Sequence, residues 1–223
     1  MRNLPSNPTK PIRRIGVRTT QVRGRIRSNQ EYESLLERDY LTLLRMEPMV
    51  ESFITQPVVI PYELNGRSRT YVPDVLVSYK MDSQGKRRKK TLVEVKPAQY
   101  ADHPDDELAA KLAAANLTCQ SVGWEFLVVT EDEIYTPRLK NADFLVRYKD
   151  RVCTPQGELM LIDRLWLSGG RSTPNELIHG ASRTPHTRAQ MLADLWTLVA
   201  NGQFYIDMDE PLTMNSTVWS LRK

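Results

Sequence analysis

The sequence has few of the residues that hold small secreted proteins or zinc modules together. Its two cysteines, Cys119 and Cys153, are far apart and lack the paired spacing of metal ligands, which disfavours both a disulfide framework and a zinc site. No apolar run approaches the length of about 20 residues that a membrane helix needs. The basic N-terminus is not followed by the apolar core of a secretory signal. A soluble cytoplasmic protein is therefore predicted.

Acidic residues are absent from the first 30 positions, which carry eight basic ones within a total net charge of +4. By contrast, residues 31–150 carry 16 basic and 20 acidic side chains, and residues 151–223 carry seven of each. Residues 1–27 lack a helical or strand period and are predicted to form a basic N-terminal arm that contacts the DNA backbone. The alternative is an unstructured solubilising tail. The candidate DNA-binding residues of the arm are Arg13, Arg14, Arg18, Arg23, Arg25 and Arg27.

A helix is predicted at the start of the next segment. Ser28 and Asn29 are candidate N-caps, and apolar residues at spacings of three and four form one face from about Gln30 to Met46. Pro48 ends this pattern.

Extended segments then alternate with helices. Asn65-Gly66 is a strong hairpin signal between two segments rich in β-branched residues. The predicted strands are Phe53 to Leu64, Ser68 to Tyr79, Lys90 to Lys96 and Trp124 to Thr130. The predicted helices run from about Pro104 to Cys119, with acids in the first turn, and from about Pro137 to Tyr148. This order predicts an α/β domain over residues 28–150, with a mixed β-sheet flanked by helices.

Residues 151–223 show a different pattern, in which three helices precede a β-hairpin. This order predicts a small winged-helix-like α+β domain. The segment is neutral, and its third helix carries only Arg188 among exposed candidates. Because a recognition helix brings several basic or amide side chains to DNA, a protein partner is the better interpretation of this domain.

The chemically informative residues are Asp74, Glu94 and Lys96. Glu94 and Lys96 alternate along a predicted strand and so share one face, and pairing with the preceding strand brings Asp74 beside Glu94. Such a group is costly to bury without a metal. A divalent metal site accounts for the arrangement. The two carboxylates would hold Mg²⁺, and the lysine would orient a water molecule or stabilise charge on a phosphoryl oxygen.

This series resembles the PD-(D/E)xK nuclease signature and, more narrowly, the TnsA family, the endonuclease subunit of heteromeric cut-and-paste transposases. The resemblance covers about residues 30–150 and implies a restriction-endonuclease-like sheet; residues 154–221 resemble the C-terminal domain of the family. The motifs that carry it are Glu33-Ser34-x-Leu36-Glu37-Arg38-Asp39, Ser52-Phe53-x-x-Gln56-Pro57, Pro73-Asp74 and Glu94-Val95-Lys96-Pro97.

The resemblance implies roles for four residues. Glu37, Asp74 and Glu94 correspond to the metal ligands, Lys96 corresponds to the catalytic lysine, and Mg²⁺ is the implied cofactor, with Mn²⁺ as a substitute. It further implies cleavage of double-stranded DNA at the 5′ ends of a transposon. The implied partners are a TnsB-like transposase and a TnsC-like AAA+ ATPase, the latter bound through the C-terminal domain. Glu33 is one helical turn before Glu37, so the choice between them rests on the motif.

Other interpretations remain open. Pro73-Asp74 alone occurs in many turns, and Glu94-x-Lys96 alone is common on solvent-exposed strands. The basic run Lys86-Arg87-Arg88-Lys89-Lys90 is either a solvated hairpin tip or a loop that contacts phosphates. At the level of function, the alternatives are a stand-alone restriction-like or junction-resolving nuclease and a non-catalytic adaptor that links DNA ends to an ATPase.

Overall fold

A computed structural model describes residues 8–12, 24–25, 31–179 and 185–221. The chain divides into two compact units, Met1–Ile134 and Tyr135–Lys223. No helix within the described ranges is long and apolar enough to span a membrane.

The first unit is built around a four-stranded mixed sheet. Its helices are α1 (Leu35–Met46), α2 (Ala98–Ala101), α3 (Asp106–Val122) and α4 (Glu131–Ile134). Its strands are β1 (Gly24–Arg25), β2 (Glu31–Tyr32), β3 (Val50–Thr55), β4 (Ile60–Leu64), β5 (Arg67–Tyr71), β6 (Val75–Tyr79), β7 (Thr91–Val95) and β8 (Glu125–Val129). The predicted mixed sheet flanked by helices is confirmed.

The order of strands in the sheet is β3-β6-β7-β8. Strands β3 and β7 run antiparallel to β6, whereas β8 runs parallel to β7. A parallel pair needs a long crossover connection, and α3 lies in the connection between β7 and β8. All five residues of β7 are buried, as expected for a central strand covered on both faces.

The predicted hairpin turn is present. Asn65 and Gly66 have positive φ angles of 52° and 69°, the left-handed conformation that two-residue hairpin turns favour. Around this turn, β4 pairs with β5 in the register Leu64↔Arg67.

The long strands predicted at Phe53–Leu64 and Ser68–Tyr79 are each interrupted, so their predicted continuity is wrong. Gln56 adopts a φ of 49° beside Pro57, and Pro73 interrupts the returning segment, because proline cannot donate a ladder hydrogen bond. Strand β3 therefore pairs with β6, while β4 and β5 form a separate hairpin.

Helix α1 begins later than predicted. Residues 28–30, which supply the predicted caps and first turn, lie outside the described residues; the helix starts at Leu35 with Ser34 as its N-cap. The Ser34 hydroxyl oxygen accepts a hydrogen bond from the Glu37 N–H (3.1 Å), which satisfies one of the free N–H groups of the first turn. The cap at Ser34 therefore marks the start of α1.

Helix α3 follows the predicted capping pattern. Its N-cap is Asp105, whose carboxylate accepts a hydrogen bond from the Leu108 N–H (2.7 Å). Asp106 and Glu107 lie in the first turn, where negative charge complements the helix dipole. Gly123, with a φ of 74°, ends the helix, one turn beyond the predicted end.

The second unit has four helices and three short strands among its described residues. Its helices are α5 (Pro137–Leu145), α6 (Pro155–Leu167), α7 (Pro174–Ile178) and α8 (Pro185–Ala200). The strands β9 (Arg171–Ser172), β10 (Tyr205–Ile206) and β11 (Val218–Trp219) form an antiparallel sheet in the order β10-β11-β9. The winged-helix interpretation of this unit stays a prediction.

Helix α5 belongs to the second unit, although the predicted domain boundary, between 150 and 151, follows it. The Asn141 side chain donates hydrogen bonds to the Met208 and Glu210 carbonyl oxygens (2.9 and 2.8 Å). Phe144 packs edge-on against Trp196, with ring centroids 5.4 Å apart. These contacts join residues far apart in the chain, so no local pattern indicates them.

Candidate active site

Asp74 and Glu94 meet at one end of the β6–β7 pair. The register Val75↔Val93, continued by one residue, places Asp74 opposite Glu94. The Asp74 Oδ2 atom accepts a hydrogen bond from the Val95 N–H (2.7 Å), which holds the carboxylate against the strand. Glu94 is only 4% exposed. The structure therefore brings together two carboxylates that the sequence separates by twenty positions.

Lys96 lies on the same side of the sheet as Glu94. Its Nζ atom is 2.9 Å from Glu94 Oε1, and its side chain is 32% exposed whereas that of Glu94 is 5% exposed. The Lys96 N–H donates to the Val129 carbonyl oxygen (3.0 Å), so the pairing with β8 extends past the end of β7. The ammonium group therefore lies between the buried carboxylate and solvent.

Glu37 comes from the first turn of α1 and also serves as a capping residue. Its Oε2 atom accepts a hydrogen bond from the Glu33 N–H (2.8 Å), and its Oε1 atom accepts one from the Ser34 hydroxyl (3.1 Å). These bonds hold the carboxylate at the N-terminus of α1, where the helix dipole favours negative charge.

Burial raises the pKa of each carboxyl group at the site. Burial and then repulsion by Asp74 raise the pKa of Glu37 to about 7, while burial and then repulsion by Glu94 raise the pKa of Asp74 to about 8. Burial also raises the pKa of Glu94, against the opposing effect of Lys96. Burial alone lowers the pKa of Lys96. The charges of Asp74 and Glu94 outweigh this effect and raise the pKa above its usual value, so the ammonium stays charged.

The donor atoms at this site fit a hard divalent cation. Carboxylate oxygens are the ligands that Mg²⁺ prefers, and Glu94 Oε2 is buried without a hydrogen-bond partner. A buried oxygen of this kind is costly unless a cation or polar ligand meets it. Within the part of the chain that the structure describes, no three His, Cys, Asp or Glu side chains are already arranged as a metal site.

Tyr71 lies beside these carboxylates, and the sequence motifs do not assign it a role. Its side chain is 9% exposed, and its hydroxyl has no hydrogen-bond partner. Burial raises the pKa of the Tyr71 phenol, and so do the nearby Glu94 and Asp74 carboxylates. In the sequence, the only hint that Tyr71 belongs to the site is its position three residues before Asp74. That hint is weak, because a tyrosine at the end of a strand is common in hydrophobic cores.

Gln56 links several elements of the site and was also missed as a site residue. Its N–H donates to the Asp74 carbonyl oxygen (2.7 Å), and its side-chain amide donates to Glu33 Oε1 (3.2 Å). A positive φ at a non-glycine residue is uncommon and is concentrated at functional sites. Gln56 thereby joins the bend before Pro57 to both Asp74 and the segment that precedes α1.

The basic run lies at the opposite end of the β6–β7 pair from the carboxylates. It connects the end of β6 to the start of β7, whereas Asp74 precedes β6 and Lys96 follows β7. Five strand residues at about 3.3 Å each give a separation of about 16 Å. This placement disfavours contact between the run and a phosphate held at Asp74 and Glu94.

Arg87 and Arg88 of the basic run form ion pairs. Arg87 pairs with Glu51, and Arg88 lies 3.5 Å from Glu125 and over the Tyr79 ring, 4.6 Å from its centroid. Contact of the run with DNA phosphates stays a prediction, and so does the alternative of a solvated hairpin tip. The five predicted residues are Lys86, Arg87, Arg88, Lys89 and Lys90.

Ile12, in the described part of the N-terminal arm, contacts Gln56, which is itself bonded to Asp74. The Ile12 N–H donates to the Gln56 carbonyl oxygen (3.0 Å). Arg25 lies in β1, paired with β2. The other predicted DNA contacts of the arm, Arg13, Arg14, Arg18, Arg23 and Arg27, lie outside the described residues.

Residues 47–131 match the family model described as TnsA-like endonuclease N terminal. The matched range spans the sheet from β3 to β8 and includes Asp74, Glu94 and Lys96. The chain carries a TnsA-like endonuclease domain. No curated protein matches the chain.

The TnsA-like domain is a restriction-endonuclease-like nuclease domain, which makes the protein a hydrolase acting on DNA. The range that matches the family model begins after Glu37. The assignment of Glu37 as a metal ligand therefore depends on the position of Glu37 near Asp74 and on the sequence motif. The match indicates a nuclease of the Tn7 transposase type.

Proposed function

We propose that this protein is the Mg²⁺-dependent subunit of a transposase that cleaves the 5′ ends of a transposon by phosphodiester hydrolysis. The observation that carries the proposal is the grouping of Asp74, Glu94 and Lys96 at one end of the sheet, inside the TnsA-like domain. A nuclease needs hard ligands for a cation and a positive charge near the scissile phosphate, and these three side chains supply both.

In this proposal Glu37, Asp74 and Glu94 hold the ion, and Mn²⁺ substitutes for Mg²⁺. When bound, the ion supplies positive charge for the phosphate and lowers the pKa of water. The Val95 N–H bonds one Asp74 oxygen and so limits how this carboxylate can turn toward the ion. Ser34 and Glu33 hold Glu37 in the same way.

Lys96 acts as a cation in the proposed reaction. The neighbouring carboxylates raise the pKa of Lys96, which favours its protonated form. Its ammonium group donates to Glu94 Oε1 and is exposed enough to reach a phosphate. Lys96 therefore stabilises the negative charge that develops on the phosphoryl oxygens.

The proposed partners are double-stranded DNA at the transposon ends, a TnsB-like transposase and a TnsC-like AAA+ ATPase, with the ATPase bound through the second unit. Residues 151–223 are neutral, which favours a protein partner over DNA. The second unit also has an apolar cavity of about 510 Å³, lined in part by Phe144, Trp196 and Leu212, which offers apolar area for a partner side chain. The proposed location is the bacterial cytoplasm.

The Lys96→Ala variant tests the proposed function. Purified protein is combined with the transposase and ATPase of the same element, and 5′-strand and 3′-strand cuts are measured separately. We expect 5′-strand cleavage to fall by about 10²–10³-fold, because one transition-state contact is lost, while 3′-strand cleavage by the partner continues. Lys80→Ala, which removes an exposed lysine at the far end of β6, serves as the control. Full 5′-strand cleavage by Lys96→Ala would contradict the proposal.

The arm is tested by replacing its six candidate arginines with glutamine. DNA affinity is measured across a salt series, and the slope of log K against log salt should become shallower by up to about 5, since each phosphate contact contributes about 0.9. This variant keeps the contact between Ile12 and Gln56, which a deletion would remove. An unchanged slope would identify the arm as a solubilising tail, and Mn²⁺ binding should be unaffected in either case.

A non-catalytic adaptor is the second candidate, favoured by the use of both Glu37 oxygens in capping α1. Calorimetric titration with Mn²⁺ separates the two. If the protein is a nuclease, Mn²⁺ binding to the wild type should release heat, and Asp74→Ala should abolish this heat. If it is an adaptor, the wild type and the variant should give the same small heat. Robust cutting by the protein without partners would instead identify a stand-alone nuclease.

A further inference from the structure

The β4–β5 hairpin carries two tyrosines in edge-to-face contact, and their hydroxyls differ in their partners. The rings of Tyr62 and Tyr71 are edge-on, with centroids 6.4 Å apart, and both side chains are at least nine-tenths buried. The Tyr62 hydroxyl donates to Glu107 Oε1 (3.1 Å). The Tyr71 hydroxyl has no hydrogen-bond partner.

The Tyr71 side chain packs on the face of the sheet that carries the carboxylates. It belongs to a buried cluster with Leu76 and Leu92. Side chains two positions apart in a strand share a face, so Leu76 shares its face with Asp74 and Leu92 shares its face with Glu94. The electrostatic effect of Glu94 and Asp74 on the Tyr71 phenol agrees with this placement.

Two unsatisfied polar atoms therefore lie in the same buried region: the Tyr71 hydroxyl, which can donate, and Glu94 Oε2, which can accept. They do not bond to each other, and burying both without partners is costly. An atom that satisfies both must accept from a phenol and donate to a carboxylate. A water molecule does this, whereas a phosphate oxygen can only accept.

We propose that Tyr71 and Glu94 together hold a water molecule and that Tyr71 positions it as the attacking water of DNA hydrolysis. This role rests on the proposed nuclease function. The water oxygen forms a new bond to phosphorus as the bond from phosphorus to the leaving oxygen breaks. One water proton passes to bulk solvent, and the leaving oxygen takes a proton from solvent. The Tyr71 hydroxyl stays protonated and donates to the water throughout.

The test compares Tyr71→Phe with Tyr62→Phe in the full chain, because the two tyrosines lie in the same hairpin and contact each other edge to face. In the assembled reaction we expect Tyr71→Phe to lower kcat for 5′-strand cleavage by about 10–100-fold and to leave KM for the DNA ends unchanged. Its metal-free Tm should fall slightly, since the hydrogen bond from the phenol to the bound water is removed. Tyr62→Phe should lower Tm and leave kcat unchanged.

A second readout does not depend on cleavage. Water-to-protein NOEs in the metal-free protein should detect a long-lived water at the Tyr71 side chain, and their absence would overturn the proposal. If the NOEs are present but Tyr71→Phe cleaves with the wild-type kcat, the role in the reaction is overturned while the nuclease function stands. If the wild type itself makes no 5′-strand cut, the nuclease function fails, and the role of Tyr71 in the reaction fails with it; the NOEs then decide only whether water is bound.

Discussion

The Asp74→Asn variant is expected to lose 5′-strand cleavage by about 10³-fold or more and yet, in metal-free buffer at pH 8, to melt at a higher temperature than the wild type. The loss of cleavage follows because an amide is a weaker ligand than a carboxylate, and several kcal/mol of metal stabilisation correspond to such a factor. The gain in stability follows because Asn keeps an oxygen that accepts from the Val95 N–H without bringing a buried charge beside Glu94.

The raised pKa of Asp74 determines whether the metal-free protein gains or loses stability as the pH rises. The pKa of Asp74 is raised from 3.8 to about 8 in the folded protein. A group with a raised pKa stabilises the fold fully below its unfolded pKa, and this contribution is lost as the pH rises through the folded value. The Tm of the metal-free wild type should therefore fall between about pH 4 and pH 8. The Asp74→Asn variant should show a smaller fall, with the remainder due to Glu37 and Glu94.

Addition of Mg²⁺ completes the test of Asp74. An ion that binds only the folded state raises Tm, so Mg²⁺ should stabilise the wild type at pH 8 and leave Asp74→Asn unchanged. Asp102→Asn, at an exposed position, is the control and should match the wild type in cleavage and in Tm. A lower Tm for Asp74→Asn than for the wild type at pH 8 would contradict the charge-burial argument.

The Gly157→Ala variant is expected to destabilise the second unit by about 2–4 kcal/mol, the range of a buried steric conflict that also disrupts hydrogen bonds. A Cβ atom at Gly157 would lie 2.1 Å from Asp194 Oδ2 and 2.7 Å from Thr154 Oγ1. Asp194 is only 2% exposed, and it accepts hydrogen bonds from the Thr154 N–H (3.1 Å) and the Thr154 hydroxyl (2.6 Å). The added methyl group can be accommodated only if this buried carboxylate moves away from Thr154, the N-cap of α6.

A double-mutant cycle tests the cause of this loss. Thermal or urea unfolding is measured for Gly157→Ala, Asp194→Ala and the double variant. Because Asp194→Ala removes the atoms that clash, the double variant should be less destabilised than the sum of the two single changes. Additive losses would show that the Gly157 effect does not arise from contact with Asp194.

Several elements of the fold and site follow from patterns of a few neighbouring residues. Asn65-Gly66 predicts the hairpin turn because few other residues favour two successive positive φ angles. The alternation of Glu94 and Lys96 places both on one face of β7, and their contact follows from the two-residue period of a strand. The acids at the start of α3 indicate its beginning because the dipole of a helix acts within its first turn.

Other elements were not predictable because their causes lie far away in the chain. The basic run at Lys86–Lys90 is close to Glu94 in sequence, but the intervening strand carries it to the other end of the sheet. Helix α5 reads as the last element of the nuclease domain, yet Asn141 and Phe144 bind it to the second unit. The starting point of α1 depends on Ser34 and Glu37. Several polar residues upstream are equally good caps, so the sequence alone does not single out Ser34.

The chemistry of Asp74, Glu94 and Lys96 could therefore be read from the amino-acid order, because strand periodicity and strand pairing are local rules with few exceptions. The surroundings of that chemistry required the folded chain. Tyr71 is an ordinary core tyrosine in the sequence, and only the packing of the β4–β5 hairpin on the sheet leaves its hydroxyl unpaired beside Glu94. Whether a buried polar atom is satisfied depends on every element that reaches it, and no stretch of neighbouring residues contains that information.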